Sequence, residues 1–343
     1  MPELRIDPLS GLRVIVAGKR GDRPDAFLAA EDRPPLDPDD DPLAEGHEQE
    51  TPPELYAVRP AGGPRDGRGW RVRVVPNRYP ALVGEAADPA GSTRAGAGAG
   101  DPLGAGRGEP DLFAARPATG AHEVIVHAPE SVSSLLDLTP EAVEDAMAAW
   151  RERMHAHRDA AYVHVFVNEG RAAGASLAHT HAQLYALPFV PSAIARERER
   201  FTAYSDRTQG RNLLADLLQE EVRRRERIVA VDAEAVALCP FASQVPFQVQ
   251  IVPRRSARSF EDDGPLGARL LHESLRRLAA ALGRLPPLNL WVRTAPRGAE
   301  RFCWRIDVLP RLAQLAGLEV GTGVHLNVVP PERAADELRA AAP

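Results

Sequence analysis

The chain has 343 residues, with 42 Lys and Arg against 48 Asp and Glu, so its net charge is −6 and no overall basic field favours nucleic acid or an anionic membrane. At about 150 residues per domain, this length predicts roughly two domains. Two cysteines are too few for a disulfide scaffold, and no run reaches the length of about 18 apolar residues that a membrane helix needs. We therefore expect a cytoplasmic protein that binds neither nucleic acid nor membrane.

The first half of the chain alternates short β-branched runs with one long amphipathic segment. Valine-rich and isoleucine-rich runs between turn residues are typical of strands, and apolar residues at helical spacing predict a helix. The strands predicted in this way are 12–17, 70–76, 122–129 and 162–168, and the predicted helix is 139–160. The segment 179–188 at the end of this half is taken as a further strand. Two segments, 31–42 and 84–110, are predicted to be loops because their composition cannot bury enough apolar surface to order them.

The second half repeats much of this order. A second helix is predicted to cover much of 191–227. After it, residues 249–264 align with residues 124–139, each with a strand, a proline and a turn into a helix. A helix over 264–284 and strands within 288–298 and 303–310 follow. We therefore predict an α+β fold of two tandem halves, 1–190 and 191–343. Each half should have an antiparallel sheet with flanking helices, and together they should form one pseudo-symmetric body.

Residues 167–188, VNEGRAAGASLAHTHAQLYALP, carry the strongest indication of chemistry. If HTHAQLYAL is a strand, its side chains alternate between the two faces. His179, His181 and Gln183 should then project from one face at intervals of about 7 Å. This arrangement predicts a row of two imidazoles and an amide.

A loop of small residues precedes this row. Asn168, Gly174 and Ser176 leave space and backbone N–H groups for the close approach of a phosphate. Neutral imidazole is a good nucleophile toward activated phosphorus, and an amide can donate to a non-bridging oxygen. The combination predicts group transfer at phosphorus. The alternative is a pair of histidines on a half-buried strand without any catalytic role.

The pattern Asn-x-Gly-x3-Gly-x-Ser-x2-His-x-His-x-Gln resembles the active-site signature of the galactose-1-phosphate uridylyltransferases, the transferase branch of the histidine-triad superfamily. Three further segments resemble motifs of this family in the same order, namely RIDPLSGLRVIVAGKRGDRPDAF (5–27), VVPNRYPAL (74–82) and GLEVGTGVHLNVVPPERAADELR (317–339). The signature segment is also similar to the ADP-glucose phosphorylase relatives. The resemblance covers nearly the whole chain and implies that both halves are histidine-triad-like.

The resemblance implies a role for each matching residue. His181 would be the nucleophile that forms a nucleotidyl-histidine, Gln183 would stabilise that intermediate, and Ser176 would complete the catalytic set. The implied substrate-binding residues are Arg20, Arg23, Asn168 and Gly174 for phosphate, Asn77 for the nucleotide, and Glu319 and His325 for the hexose, often across a homodimer interface. Arginine suits phosphate because its planar fork binds two oxygens at once.

The family's structural zinc site is mostly missing from this sequence. In the family, a CPFC motif, a downstream histidine and the first histidine of the signature commonly hold the metal. This chain has DPLA at 41–44 and Ser131 at the downstream position, so only His179 remains. One imidazole cannot form the tetrahedral site that structural zinc requires, so we predict no metal cofactor. The side chains that could substitute as ligands are Asp41, His47 and His122.

The second half has no matching histidines. In the register of its Leu-Pro ending, Cys303 and Arg305 stand where His181 and Gln183 stand in the first half. Cys303 and Cys239 are predicted to be core thiols. We therefore expect one catalytic site per chain.

These observations predict a nucleotidyltransferase that takes the uridylyl group of UDP-glucose onto His181 and passes it to a hexose 1-phosphate such as galactose 1-phosphate. A close alternative keeps the covalent step but uses an ADP-sugar and inorganic phosphate. A histidine-triad hydrolase is disfavoured because that branch has a third histidine where Gln183 stands. A rival of another class is a nucleotide-binding relative that has lost catalysis, which the missing zinc ligands favour and the complete signature opposes.

Overall fold

The computed structural model describes residues 1–22, 27, 36–84 and 117–341. Arg23, residues 31–35 and residues 85–110 of the longer predicted loop lie outside this part of the chain. The strands are β1 Glu3–Ile6, β2 Arg13–Val16, β3 Tyr56–Val58, β4 Val72–Pro76, β5 Ala121–Val126, β6 Tyr162–Glu169, β7 His181–Leu187, β8 Ile228–Val231, β9 Ala235–Leu238, β10 Val249–Pro253, β11 Leu288–Arg293, β12 Arg305–Pro310 and β13 His325–Asn327. The helices are α1 Pro140–Ala156, α2 Ser192–Arg207, α3 Leu213–Arg224, α4 Ala268–Leu282, α5 Gly317–Thr322 and α6 Pro331–Ala340.

Ten of the strands form one sheet in the order β3-β4-β5-β7-β6-β11-β12-β10-β9-β8. Every neighbouring pair in it is antiparallel. The five strands on one side come from the first half of the chain and the five on the other side from the second half, in mirrored order. The α+β class and the paired halves are thus confirmed. The structure adds that β6 pairs with β11, so the two predicted sheets are continuous.

A second sheet connects the two ends of the chain. It has three strands in the order β1-β2-β13, and β13 pairs with β2 in parallel. Its buried residues Val14 and Val16 pack against Ala242 of the second half. Strands as distant in sequence as these have no local signal for pairing, so the predicted strand at 12–17 had no predicted partner.

The main core lies between one face of the large sheet and helices α1, α4 and α6. Valines and leucines at alternate positions of the central strands point into it, including Val165, Leu184, Leu290 and Val308, all of which are fully buried. Because side chains alternate along a strand, the residues between them reach the opposite face. That opposite face carries the polar and aromatic side chains of the central strands.

The predicted helix over 191–227 is two helices in the structure. Helix α2 ends at Arg207, and Gln209 and Gly210 both adopt a positive φ that continues no helix. The side chain of Asn212 then accepts hydrogen bonds from the backbone N–H groups of Leu214 and Ala215 and caps α3. The prediction of one helix missed this break although its Gly and Asn are ordinary stop and start signals.

Both cysteines are buried, as predicted. Cys303 and Cys239 are at most 1% exposed, and burial raises the pKa of each thiol. Among the described residues, no helix combines the length and the apolar character needed to cross a bilayer.

Candidate active site

A cavity of about 410 Å³ lies beside the first residues of β7, a volume that suits a small ligand. Its lining combines β7, the end of β4, the loop before β7 and part of the segment 42–52. The polar side chains of the lining belong to His181, Gln183, Ser176, Thr51, Asn77, Arg78, Tyr79 and Glu50, and the apolar ones include Leu43, Val75, Val124 and Leu177. The structure therefore brings together His181, Gln183, Ser176 and Asn77 of the predicted set.

His181 is held in one orientation by the backbone just before it. Its Nδ1 lies 2.7 Å from the carbonyl oxygen of His179, and because a carbonyl only accepts, Nδ1 must donate. The neutral ring then carries its lone pair on Nε2. Burial lowers the pKa of His181, and the bond to the His179 carbonyl offsets this only in part, so the ring favours its neutral form. These features are those of an imidazole that attacks through Nε2.

Gln183 is oriented by His122 on the neighbouring strand β5. The backbone N–H of Ala81 donates to Nδ1 of His122 at 3.2 Å, so the proton of the neutral ring sits on Nε2. That nitrogen lies 3.0 Å from Oε1 of Gln183 and donates to it. The amide oxygen of Gln183 is thereby engaged, and its NH2 group is the end left to donate to a ligand.

His122 also contacts Asn77, the residue predicted to bind the nucleotide. The backbone N–H of Asn77 donates to the His122 carbonyl at 2.8 Å. Its Nδ2 lies 3.0 Å from Nε2 of His122, which is a close contact rather than a hydrogen bond, because both nitrogens are donors once Nε2 donates to Gln183. The His122 ring also stacks on Tyr185, with ring centroids 4.0 Å apart. Burial lowers the pKa of His122, and the bond to Gln183 opposes this only partly, so the neutral ring is favoured.

Asn168 and Gly174 lie at the loop side of the site. Val167 pairs with Ala182, and continuing this antiparallel register places Asn168 opposite His181. Asn289 of β11 donates to Oδ1 of Asn168 at 2.8 Å, which fixes the amide. Gly174 has a φ of +88°, in the left-handed region that residues with a Cβ atom rarely adopt. The turn thus depends on a residue without a side chain.

His179, which was expected to project beside His181 and Gln183, precedes β7 and does not line the cavity with them. Strand β7 begins at His181, so strand alternation does not extend back to His179. The His179 ring instead turns to Asp41, with Nδ1 2.7 Å from Oδ2, and to the Ala128 carbonyl, with Nε2 3.0 Å from the oxygen. His179 is therefore a buried bridging residue and does not line the cavity.

The other two side chains considered as metal ligands, His47 and His122, each bond to a different partner. His47 pairs with Glu50, whereas His122 bonds to Gln183. Within the described part of the chain, no group of three His, Cys, Asp or Glu side chains could hold a metal ion. The donor set therefore does not fit the zinc that the resemblance implies.

Three predicted substrate residues lie away from this cavity, around the three-stranded sheet. Arg20 is exposed on a short 3-10 helix that follows β2, and His325 begins β13. Glu319 lies on α5, where its side chain accepts from the backbone N–H of Ala316 at 2.9 Å. Burial lowers the pKa of His325, which the nearby Glu319 partly opposes. None of these three is among the cavity-lining residues.

The equivalent position in the second half is filled by a buried ion cluster. Arg305 donates to both carboxylate oxygens of Glu197 on α2, at 3.0 and 3.1 Å, and its Nε lies 3.2 Å from Asp307. Gln250 and Trp291 donate to the same aspartate. Helix α2 therefore covers this face of the second half, where charged side chains neutralise one another.

Sequence reasoning missed two residues of the site, His122 beside the cavity and Arg78 in its lining. His122 had been considered only as a metal ligand, and Arg78, the arginine that lines the cavity, had not been singled out. The signal for Arg78 was its position beside Asn77 in VVPNRYPAL. His122 had no such signal, because its role depends on the pairing of Ala121–Val126 with His181–Leu187.

Comparisons with known proteins show the family of the chain. The model of the galactose-1-phosphate uridyl transferase N-terminal domain matches residues 1–191, and a domain of unknown function (DUF4921) matches residues 129–342. The chain is 30% identical to the ADP-glucose phosphorylase of Arabidopsis thaliana over 98% of this chain and 92% of that protein. It is 28% identical to the galactose-1-phosphate uridylyltransferase of Haemophilus influenzae over 67% of this chain and 69% of that protein.

Solved structures of proteins with related names are also similar to this chain. The crystal structure of an ADP-glucose phosphorylase from Arabidopsis thaliana with bound ADP-glucose is similar with a TM-score of 0.77 and 27% identity, covering 99% of this chain and 98% of that one. A uridylyltransferase structure at 23% identity shares the fold, with a TM-score of 0.70 and coverage of 100% and 98%. The chain therefore belongs to the galactose-1-phosphate uridyl transferase family and is a nucleotidyltransferase of that family.

Proposed function

We propose that this chain transfers the adenylyl group of an ADP-sugar to inorganic phosphate through a covalent intermediate on His181. The choice of ADP-sugar over UDP-glucose reverses the order of preference given by the sequence. It is supported by the similarity to an ADP-glucose phosphorylase, which extends over nearly the full length of both chains, whereas the similarity to the uridylyltransferase of Haemophilus influenzae covers about two thirds of this chain.

The observation that carries the covalent step is the orientation of His181. Its Nδ1 donates to the His179 carbonyl, so the lone pair of the neutral ring is on Nε2, and the side chain lines a cavity with Gln183, Ser176 and Asn77. A nucleophile in this state needs no separate base to remove a proton before it attacks.

In the first step, Nε2 of His181 attacks the α-phosphorus of the ADP-sugar. A phosphorus–nitrogen bond forms, the bond from the α-phosphorus to the bridging oxygen breaks, and the sugar 1-phosphate leaves with that oxygen. The NH2 group of Gln183 donates to a non-bridging oxygen of the α-phosphate, where negative charge is concentrated. Arg78, at the mouth of the cavity, supplies a positive charge to the phosphates.

In the second step, an oxygen of inorganic phosphate attacks the same phosphorus. The phosphorus–nitrogen bond breaks, ADP is released and His181 returns to its neutral form with the lone pair on Nε2. Two displacements invert the configuration at phosphorus twice, and the sugar phosphate leaves before the acceptor binds.

Uridylyl transfer from UDP-glucose to a hexose 1-phosphate is the second candidate. The match of the family model to residues 1–191 and the galactose-1-phosphate uridylyltransferases among the relatives favour it. Both candidates use the same residues and the same covalent step, and they differ in the base and in the acceptor.

The test is the intact mass of the protein after incubation with ADP-glucose and, separately, with UDP-glucose, with His181→Ala as the control. We expect an adenylyl adduct with ADP-glucose that disappears on addition of inorganic phosphate and that the variant lacks. A uridylyl adduct alone would establish the second candidate. Binding of both sugar nucleotides without any adduct would contradict the proposal and favour a relative that has lost catalysis.

A further inference from the structure

We infer that an internal ion pair between Asp41 and His179 takes the place of the family's structural zinc and secures the segment 36–52 to the catalytic strand. The positions to which the resemblance assigns the zinc ligands are occupied here by Asp41, Ala44, Ser131 and His179. The inference does not depend on the proposed function, because it concerns what holds the segment in place.

The hydrogen bonds of His179 leave no nitrogen for a metal. Nδ1 lies 2.7 Å from a carboxylate oxygen of Asp41, and Nε2 lies 3.0 Å from the carbonyl oxygen of Ala128. Both partners only accept, so both ring nitrogens donate and both carry a proton. A zinc ligand needs a lone pair on one of these nitrogens, and Ala44 offers no donor atom.

Both carboxylate oxygens of Asp41 are also engaged in hydrogen bonds. It is 6% exposed, and its second oxygen, Oδ1, accepts from the backbone N–H of Leu43 at 3.1 Å. Burial raises the pKa of Asp41, but the hydrogen bond and the positive charge of His179 outweigh it, so the pKa lies below its ordinary value. The Ser131 hydroxyl also faces Asp41 and helps to lower that pKa, although their contact falls short of hydrogen-bond geometry.

The pair joins three segments that are distant in sequence. Asp41 belongs to the segment 36–52, Ala128 follows β5, and His179 precedes β7. Around it, the backbone N–H of Glu45 donates to the Pro129 carbonyl at 2.9 Å, and Leu43 packs in one cluster with Trp70 and Val126. A structural zinc would perform the same cross-linking.

The pair also stands next to the nucleophile. The carbonyl that accepts from Nδ1 of His181 is that of His179, and the side chain of Leu43 forms part of the cavity lining. Fixing Asp41 and His179 therefore fixes one wall of the cavity and the acceptor that orients His181.

The experiment compares wild type, Asp41→Ala and Asp41→Asn with Asp40→Ala, which removes an exposed carboxylate from the next position. Protein without a metal-binding tag is analysed for zinc by mass spectrometry, and its thermal unfolding is recorded with and without EDTA. We expect far less than one zinc per chain, no change of Tm with EDTA, and a Tm lower by roughly 3–8 °C in Asp41→Ala, because breaking a buried pair leaves an unpaired group. The Tm of Asp40→Ala should stay within about 1 °C of wild type.

One zinc per chain with a Tm that falls in EDTA would overturn the inference, as would an Asp41→Ala protein as stable as wild type. Should Asp41→Ala fail to fold, nitrogen NMR of the histidine rings in wild type and in the isosteric Asp41→Asn gives a second measurement. We expect both ring nitrogens of His179 to carry protons in the wild-type protein. A His179 ring nitrogen without a proton would also contradict the ion pair.

Discussion

At the scale of single residues, two hydrogen bonds with the backbone determine which ring nitrogen carries the proton in His181 and in His122. The His179 carbonyl selects the tautomer of His181, and the Ala81 N–H selects that of His122, which then orients Gln183. The shared position of His181 and Gln183 in the cavity lining could be predicted from the sequence because they are two apart on one strand. The part of His122 could not, because it depends on which strand pairs with β7.

Replacing His122 with phenylalanine should slow the covalent step without unfolding the protein. His122→Phe retains a ring that can stack on Tyr185 but loses the bond to Gln183, so the amide is no longer held. We expect the rate of adduct formation at saturating ADP-glucose to fall about 10- to 100-fold, as for other small misplacements of catalytic groups, with little change in Tm. Rapid-quench kinetics would measure the rate.

The matched control is His164→Phe. His164 stacks on Phe166 in the same layer of rings as Tyr185, and its buried Nδ1 has no hydrogen-bond partner. We expect its rate of adduct formation to equal that of wild type. Equal rates in His122→Phe and His164→Phe would show that His122 does not position Gln183.

The acid limb of adduct formation should lie below pH 6.5, the ordinary value for histidine. Burial lowers the pKa of His181, and only the neutral ring attacks. The rate should therefore fall to half of its plateau at a pH below 6.5. A pH profile of the single-turnover rate with ADP-glucose measures this midpoint, and a midpoint at or above 6.5 would contradict the account.

At the scale of the secondary-structure elements, the alignment of β5 with β7 brings His122 opposite Tyr185 and next to Gln183. The sequence predicted β5 from its β-branched run and β7 from the alternation of side chains in HTHAQLYAL. It extended the second strand two residues too early, since the His-x-His spacing is compatible with a strand and nothing local shows that Asp41 draws His179 aside. The helix over 191–227 was also too long, because the break at Gly210 was not recognised.

Gly120, just before β5, is required for this alignment. A Cβ atom there would lie 2.2 Å from the Ala186 carbonyl oxygen on β7, and the φ of +139° is itself unfavourable for other residues. We expect Gly120→Ala to lower the free energy of unfolding by roughly 2–4 kcal/mol. Urea unfolding followed by circular dichroism would measure the change.

Gly210→Ala is the control for the cost of a positive φ without a steric clash. Gly210 has a φ of +100°, and a Cβ atom there would meet nothing within 4 Å. Its substitution should cost only about 1 kcal/mol. If the two variants lose equal stability, the close approach of Gly120 to β7 does not constrain the pairing.

At the scale of the whole molecule, the large sheet is pseudo-symmetric but its two halves differ in chemistry. The first half presents a cavity with His181 and Gln183, whereas the second half buries Arg305 and Asp307 under α2. The sequence predicted this difference from the missing histidines, but the continuous sheet could not be predicted, because β6 and β11 are more than 100 residues apart in sequence. The homodimer stays a prediction, which analytical ultracentrifugation would test.

The most direct test of the account is to locate the nucleotidyl group in the chain. The protein is incubated with ADP-glucose, digested under mildly alkaline conditions that preserve the phosphorus–nitrogen bond, and its peptides are sequenced by mass spectrometry. The account predicts one adenylyl group per chain, attached to His181 and to no other residue. Attachment to His179, to a residue of the second half, or at two sites in one chain would contradict it.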